Sequence, residues 1–286
     1  MTEAERTDAR ELIRRALAED VGAGDLTTLA CVPPEQQARG RFLARQDLVL
    51  AGVELLPLIY EMGGGVDALE IHKQDGERAA ADEVVAQVRG PARTLLTCER
   101  VALNFLQRLS GVATMAARFV DAVRGTPARI LDTRKTTPGL RLLEKRAAAA
   151  GGVRNHRIGL FDAILIKNNH IAAAGGVRAA VERALAFRAQ GRCPPDTVIE
   201  VEVRTQAEAD EALAAGATDL LLDNFTPAGA AELIRHLAGR ARVEISGGIT
   251  LDNVRAYAEA GPDFISSGAI THSAPAVDLS FRLEWE

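Results

Sequence analysis

Val198-Ile-Glu-Val-Glu-Val203, Asp219-Leu-Leu-Leu-Asp223, Arg242-Val-Glu-Ile-Ser246 and Asp263-Phe-Ile-Ser-Ser267 are four short apolar runs, each closed by a polar corner. Asp223, Ser246 and Ser267 stand 23 and 21 residues apart, room for one helix and its two turns between successive strands. Working outward, Ala128-Arg-Ile-Leu-Asp132 and Ala163-Ile-Leu-Ile-Lys167 have the same character. The stretches 139–150, 176–190, 206–215, 227–239 and 250–260 between these runs carry helical periodicity. Strands alternating with helices at this spacing form parallel βα units. With six such strands, closure toward a barrel is favoured over an open sheet, and catalytic side chains then belong at the strand ends.

Before Gly125 the rhythm differs. Glu5 to Glu19 places Leu12, Ile13, Ala16 and Leu17 at helical spacing. Asp20-Val-Gly-Ala-Gly-Asp-Leu-Thr-Thr28 reads as a loop. Arg41–Leu50, Val66–His72 and Val84–Val88 read as strands, with a hairpin signal at Asp75-Gly76. A long helical pattern from about Thr94 to Val123 is interrupted at Ser110-Gly111. The first hundred residues therefore form an α+β unit ahead of the βα series.

The 286 residues carry 34 Lys and Arg against 39 Asp and Glu, a net −5 that disfavours a general nucleic-acid binder. No stretch reaches the length of a membrane span, and the charged Met1–Arg15 segment is unlike a signal peptide. Cys31, Cys98 and Cys193 are widely spaced, as expected of reduced thiols in a cytoplasmic protein and unlike a zinc site. The charge is unevenly spread. Between Arg129 and His170, six Arg and three Lys face only Asp132, Glu144 and Asp162, a local +6 that leaves −11 for the rest. This segment is either a solvated helical face or an anion site.

Strand ends within it carry the candidate chemistry. Asp132-Thr-Arg-Lys-Thr-Thr-Pro138 puts Thr133, Arg134 and Lys135 after the first barrel strand and near a helix start, where cations and backbone N–H groups favour an anion. Asn155-His-Arg157 offers a guanidinium fork for a carboxylate and an imidazole for a second oxygen. Lys167 ends an apolar strand ahead of Asn168-Asn-His170; it is either an anion ligand or a Schiff-base nucleophile, and His170 a structural hydrogen-bonding group. Glu200 and Glu202 share one face of a strand, opposite Val201 and Val203. Glu202 with Asp223 would hold Mg²⁺ through waters, Glu200 and Glu202 would form a pair of salt bridges to the basic cluster, and both can hold at once. Ser246-Gly-Gly248 and Ser267-Gly268 end the last two strands, where barrels often cradle phosphate. No Walker A loop or dinucleotide fingerprint is present.

These motifs occur together, and in order, in one family. Glu19-Asp-Val-Gly-Ala-Gly-Asp-Leu-Thr-Thr28, Glu99-Arg-Val-Ala-Leu-Asn-Phe-Leu106, Asp132-Thr-Arg-Lys-Thr-Thr-Pro-Gly-Leu-Arg141, Asn155-His-Arg157 and Ile166-Lys-Asn-Asn-His-Ile171 are followed by Glu200-Val-Glu-Val203, Leu222-Asp-Asn224, Ser246-Gly-Gly248 and Gly268-Ala-Ile-Thr-His-Ser273. The chain resembles the quinolinate phosphoribosyltransferases over essentially its whole length. The resemblance implies an α/β fold: an N-terminal open α/β sandwich (residues 1–110, rejoined by 272–286) and an incomplete (β/α) barrel (111–271). It implies transfer of phosphoribosyl from 5-phosphoribosyl-1-pyrophosphate to quinolinate with Mg²⁺, giving nicotinate mononucleotide, pyrophosphate and CO₂. It assigns Arg134, His156 and Arg157 to the quinolinate carboxylates, with Thr133, Lys135 and Lys167 nearby. Glu202 and Asp223 would serve ribose and metal, and Ser246, Gly247, Gly248, Ser267 and Gly268 the phosphate end. Lys135, Lys167, Glu202 and Asp223 form the implied catalytic set. Arg100 would enter from a partner chain of a homodimer or higher homo-oligomer.

Two positions depart from the family pattern: Asn168, commonly acidic, and Ser267, often apolar. A molybdenum-transport-associated or nicotinate-specific relative of the same fold is the alternative function. A Lys167 Schiff-base enzyme and a non-catalytic anion sensor are the rivals outside it.

Overall fold

The computed structural model describes residues 1–285. The elements run α1 (Glu3–Val21), α2 (Leu26–Cys31), β1 (Gln37–Ala44), β2 (Leu48–Val49), α3 (Leu56–Met62), β3 (Ala68–Ile71), β4 (Arg78–Ala79) and β5 (Val84–Pro91). The long α4 (Ala92–Ala122) leads to β6 (Arg129–Leu131), α5 (Arg141–Ala150), β7 (Ile164–Ile166), α6 (Asn168–Ala174) and α7 (Val177–Ala189). Then come β8 (Ile199–Val203), α8 (Gln206–Ala214), β9 (Asp219–Asp223), α9 (Pro227–Leu237), β10 (Arg242–Ser246), α10 (Val254–Glu259), β11 (Phe264–Ser266), α11 (Ala269–His272) and β12 (Leu279–Trp285). No helix among the described residues is long and apolar enough to cross a membrane.

One compact unit comprises Met1–Ala117, Thr136–Gly152 and the chain from Ser273. Its sheet has the order β12-β1-β5-β3, with antiparallel pairing throughout. Phe42 and Phe281 meet across β1 and β12 with ring centroids 4.7 Å apart. α1 opens on a capping box: Thr2 Oγ1 accepts from Glu5 N, and the Glu5 carboxylate accepts from Thr2 N. On α4, Leu95, Ala102, Leu106, Ala113 and Ala116 form a fully buried stripe at helical spacing.

Three expectations change here. α4 is unbroken at Ser110-Gly111, because those residues serve close packing: the Ser110 hydroxyl accepts from Ala51 N at 2.9 Å, and a Cβ on Gly111 would lie 2.1 Å from the Pro275 carbonyl oxygen. The loop expected through Thr28 becomes helical at Leu26, because Asp25 caps α2 by accepting from Thr28 N at 3.0 Å. The strand expected over Arg41–Leu50 is two strands separated by Arg45-Gln46-Asp47.

The second unit comprises Arg118–Lys135 and Val153–His272. This division differs from 1–110 and 111–271, since Thr136–Gly152, with α5, clusters with the N-terminal unit. The six-stranded sheet has the order β6-β11-β10-β9-β8-β7, and its pairings are parallel. β6 and β7 are its edges and do not pair with each other, so the barrel is incomplete. Arg154 extends the β6 edge, donating its amide to the Ile130 carbonyl at 3.0 Å. Val201, Leu220, Leu222, Ile245 and Ile265 fill the fully buried, helix-facing side. Strand alternation gives the other face to polar residues. Glu200 lies beside Asp219, Leu221 between Glu202 and Glu244, and Asp223 beside Ser246.

Candidate active site

A cavity of about 350 Å³ in the second unit collects the strand ends. The turn after β6 contributes Thr133, Arg134 and Lys135, and the segment before β7 contributes His156 and Arg157. Lys167, Glu202, Asp223 and Ser246–Gly248 close the ring. Of the residues expected at the site, the structure brings all but Arg100, Ser267 and Gly268 to this wall.

Buried Asp132 explains how two distant segments meet. Its carboxylate accepts from Asn155 Nδ2 at 2.8 Å and His156 N at 2.7 Å, pinning the Asn155-His-Arg segment beside β6. Lys135 is steadied through its own backbone: its amide donates to Thr133 Oγ1 at 3.0 Å, and its carbonyl accepts from Thr271 Oγ1 at 2.7 Å. Gly268 acts behind this lysine. A Cβ there would lie 2.8 Å from Lys135 Cδ and from the His272 ring, so the glycine makes room for the lysine stem. Lys167 precedes α6, and its amide donates to His170 Nδ1 at 2.9 Å, the structural role expected of that histidine. The cations at 134 and 135 do not sit on a helix start, since α5 begins only at Arg141.

Ser267 is turned out of the cavity. Its buried hydroxyl donates to the Ile249 carbonyl at 2.8 Å, while Ser266 lines the wall. Alternation decides this: Ser266, the last residue of β11, faces inward and its successor does not. Arg100 is exposed on α4, in the other unit.

At the ends of β9 and β10 the backbone takes left-handed values at Asn224 (φ 60°), Gly247 (φ 100°) and Gly248 (φ 62°). A Cβ on Gly247 would lie 2.3 Å from Asn224 Oδ1, so only glycine fits the turn. Successive amides in such a turn form a concavity suited to an anion.

The carboxylates fall into two groups. Glu202 Oε1 and Asp223 Oδ2 each lie 3.5 Å from the Arg204 guanidinium, which bridges them. The partner of Glu202 is thus Arg204, not the basic segment, whereas Glu200 pairs with His156 of that segment. Below them, His156 Nε2 lies 3.4 Å from Glu200 Oε2 and 3.4 Å from Glu244 Oε2. Burial pushes the Glu200 carboxyl up to about 7, reinforced by the Glu244 charge and opposed by His156. For His156 burial opposes the charged ring, but bonds to Glu200 and Glu244 outweigh it and push the imidazole up to about 10. The Arg157 amide pulls the other way, since it donates to His156 Nδ1 at 2.7 Å and requires a lone pair there. Burial also lowers Arg157, and the neighbouring Arg134 cation lowers it further. Two guanidinium groups that repel across a half-buried wall make a site for an anion.

Glu244, Arg204 and Asn224 were not singled out from the sequence as site residues. Glu244 had the same signal as Glu200: it stands two residues before Ser246 on one face of β10.

Comparison with known proteins identifies the family. The family "Quinolinate phosphoribosyl transferase" matches through its N-terminal domain at residues 25–110 and its C-terminal domain at residues 112–282. The chain is 41% identical over 298 residues to the chloroplastic nicotinate-nucleotide pyrophosphorylase [carboxylating] of Arabidopsis thaliana, covering 98% of this chain and 84% of that protein. It is 40% identical over 275 residues to the probable nicotinate-nucleotide pyrophosphorylase [carboxylating] of Bacillus subtilis, covering 95% and 92%. The crystal structure of NadC from Streptococcus pyogenes superposes with a TM-score of 0.91 at 39% identity, covering 96% of each chain. On its sequence, its fold and its matched domains, the chain belongs to the quinolinate phosphoribosyl transferase family.

Proposed function

We propose that this enzyme transfers phosphoribosyl from 5-phosphoribosyl-1-pyrophosphate to quinolinate and releases pyrophosphate and CO₂, leaving nicotinate mononucleotide for NAD synthesis. The observation that carries this reading is one cavity in which Arg134, Lys135, Arg157 and Lys167 face Glu202, Asp223 and the Gly247–Gly248 turn. Several fixed cations match a dianion and orient it. His156 is engaged by the Arg157 amide and two glutamates, so the acid's carboxylates fall to the two arginines and two lysines.

Held there, the pyridine nitrogen attacks C1 of the ribose as the bond to pyrophosphate breaks. Positive charge builds on the sugar, and the Glu202 and Asp223 carboxylates stabilise it. Both already converge on one cation, Arg204, and two oxygen donors suit Mg²⁺. When bound, Mg²⁺ would neutralise the phosphate oxygens of donor and leaving group. The Gly247–Gly248 turn would take the 5-phosphate through backbone amides. Loss of the 2-carboxylate as CO₂ leaves an electron pair at C2, stabilised by the adjacent pyridinium until a proton arrives; Lys135 and Lys167 keep that wall cationic.

We place the protein in the cytoplasm, where its three free thiols suit a reducing medium. A homodimer or larger homo-oligomer would let exposed Arg100 reach a neighbouring chain's cavity. The test offers quinolinate or nicotinate with 5-phosphoribosyl-1-pyrophosphate and Mg²⁺, following nucleotide and CO₂. Quinolinate turnover with one CO₂ per nucleotide is expected. Turnover of nicotinate alone would overturn the assignment in favour of a nicotinate-specific relative.

A further inference from the structure

Below the strand ends, a second chamber of about 380 Å³ shares His156, Arg157, Leu165 and Glu244 with the first. His156 and Glu244 at the junction meet Glu200 of the second chamber, and the nearest donor atoms of the three all lie within 4.8 Å of one another. Glu244 is 3% exposed, and its Oε1 is buried without any hydrogen-bond partner. Buried polar atoms are nearly always satisfied, so the orphan Oε1, on a carboxylate whose Oε2 faces His156, calls for a further donor or cation beside the trio. Facing the trio, Asp219 adds negative charge, while Arg157 supplies positive charge to Glu200. Arg242 is held by Asp219 at 2.6 Å, and Arg154 lies over the Phe264 ring at 5.6 Å.

The two separations from His156 suit a tetrahedral cation. Zinc bonds of ~2.0–2.2 Å at tetrahedral angles put ligand atoms roughly 3.3–3.5 Å apart. His156 Nε2 stands 3.4 Å from each glutamate oxygen. A nitrogen with two oxygens is a zinc-class donor set, whereas Mg²⁺ prefers oxygens and retained waters. We propose that His156, Glu200 and Glu244 form a divalent transition-metal site, separate from the Glu202–Asp223 pair, with its fourth position open. Coordination takes the Nε2 lone pair and leaves one ring proton, on Nδ1, with any second proton released to solvent; Nδ1 then cannot accept from the Arg157 amide. The ion is therefore coupled to an anion-binding arginine.

The test titrates chelator-treated full-length protein with Zn²⁺ by calorimetry and with Co²⁺ by visible absorption. One ion per chain is expected, with the intense bands of four-coordinate Co²⁺. Glu244→Gln and Glu200→Gln should each weaken Zn²⁺ by at least about tenfold, and Glu202→Gln by less than about twofold. Binding insensitive to both Glu244→Gln and Glu200→Gln, or abolished by Glu202→Gln, would overturn the site, as would no binding at all. Should the variants not fold, anomalous diffraction from zinc-soaked wild-type crystals decides. A peak ~2.0–2.2 Å from His156 Nε2 is expected, and a peak only beside Asp223 contradicts the proposal.

Discussion

Arg108 and Arg157 are both arginines close to a buried carboxylate, yet they sit in different units and do different work. In the first unit Arg108 Nη2 lies 2.7 Å from Glu144 Oε1, and its Nη1 donates to the Ala274 carbonyl at 2.7 Å. The fully buried Glu144 also accepts from the Thr137 amide and hydroxyl, so its charge is spent on protein partners. In the second unit Arg157 lines a cavity beside another guanidinium, Arg134, which disfavours its charge. The same contrast divides the basic segment: Arg146 is consumed by Glu5 and Glu54, while Arg134, Lys135 and Lys167 face the cavity. Charges paired with one another in the first unit hold the fold; charges gathered on the cavity wall of the second unit bind ligand.

That contrast can be broken in order of expected effect. Arg134→Ala should lower kcat/KM for quinolinate by about 10²–10³, the ~3–4 kcal/mol expected when a charge pair loses a partner. The Michaelis constant for the phosphoribosyl donor and the Tm should change little. Steady-state kinetics with each substrate varied checks this, and equal losses for both would remove the distinction. Arg108→Ala should do the reverse, costing about 3 kcal/mol of stability by leaving Glu144 buried and uncompensated. Urea unfolding measures it, and a loss below about 1 kcal/mol would count Arg108 with ordinary surface pairs.

Gly247→Ala would force a side chain into a left-handed turn against Asn224, about 1–3 kcal/mol of strain, and displace the amides facing the cavity. The Michaelis constant for the phosphoribosyl donor should rise about tenfold while that for quinolinate holds. The smallest effect is at Asp25, whose side-chain and backbone bonds to Thr28 hold its carboxyl below the usual range. Asp25→Ala should cost about 1 kcal/mol at neutral pH. A depressed native pKa makes this contribution full above the unfolded value and lost as pH falls through the native one. Thermal melts of wild type and variant should therefore differ at pH 7 and converge in acid. A constant gap across that range would show the cap to be uncharged in effect.

Much of this was readable from alternation and spacing. Val201 and Val203 against Glu200 and Glu202 reported which side of β8 meets the helices, and the polar corners located the cavity wall. What was not readable depends on contacts made at a distance. Gly111 looks like a helix breaker until the Pro275 carbonyl is seen against it. Thr136–Gly152 reads as the next βα helix, yet Glu144 and Arg146 tie it to Arg108, Glu5 and Glu54. At Ser266-Ser267 two identical side chains differ only in which one is the last of its strand. Pairing partners, which no local pattern encodes, separate a structural charge from a functional one.

In this reading, the cations at the strand ends of the second unit receive the dicarboxylate. Diffraction from crystals grown with phthalate, a ring with two adjacent carboxylates, would locate them. The two carboxylates should lie against the Arg134 and Arg157 guanidiniums, with Lys135 and Lys167 on the same wall. Phthalate seated instead on Arg154 and Arg242 in the lower chamber would contradict it.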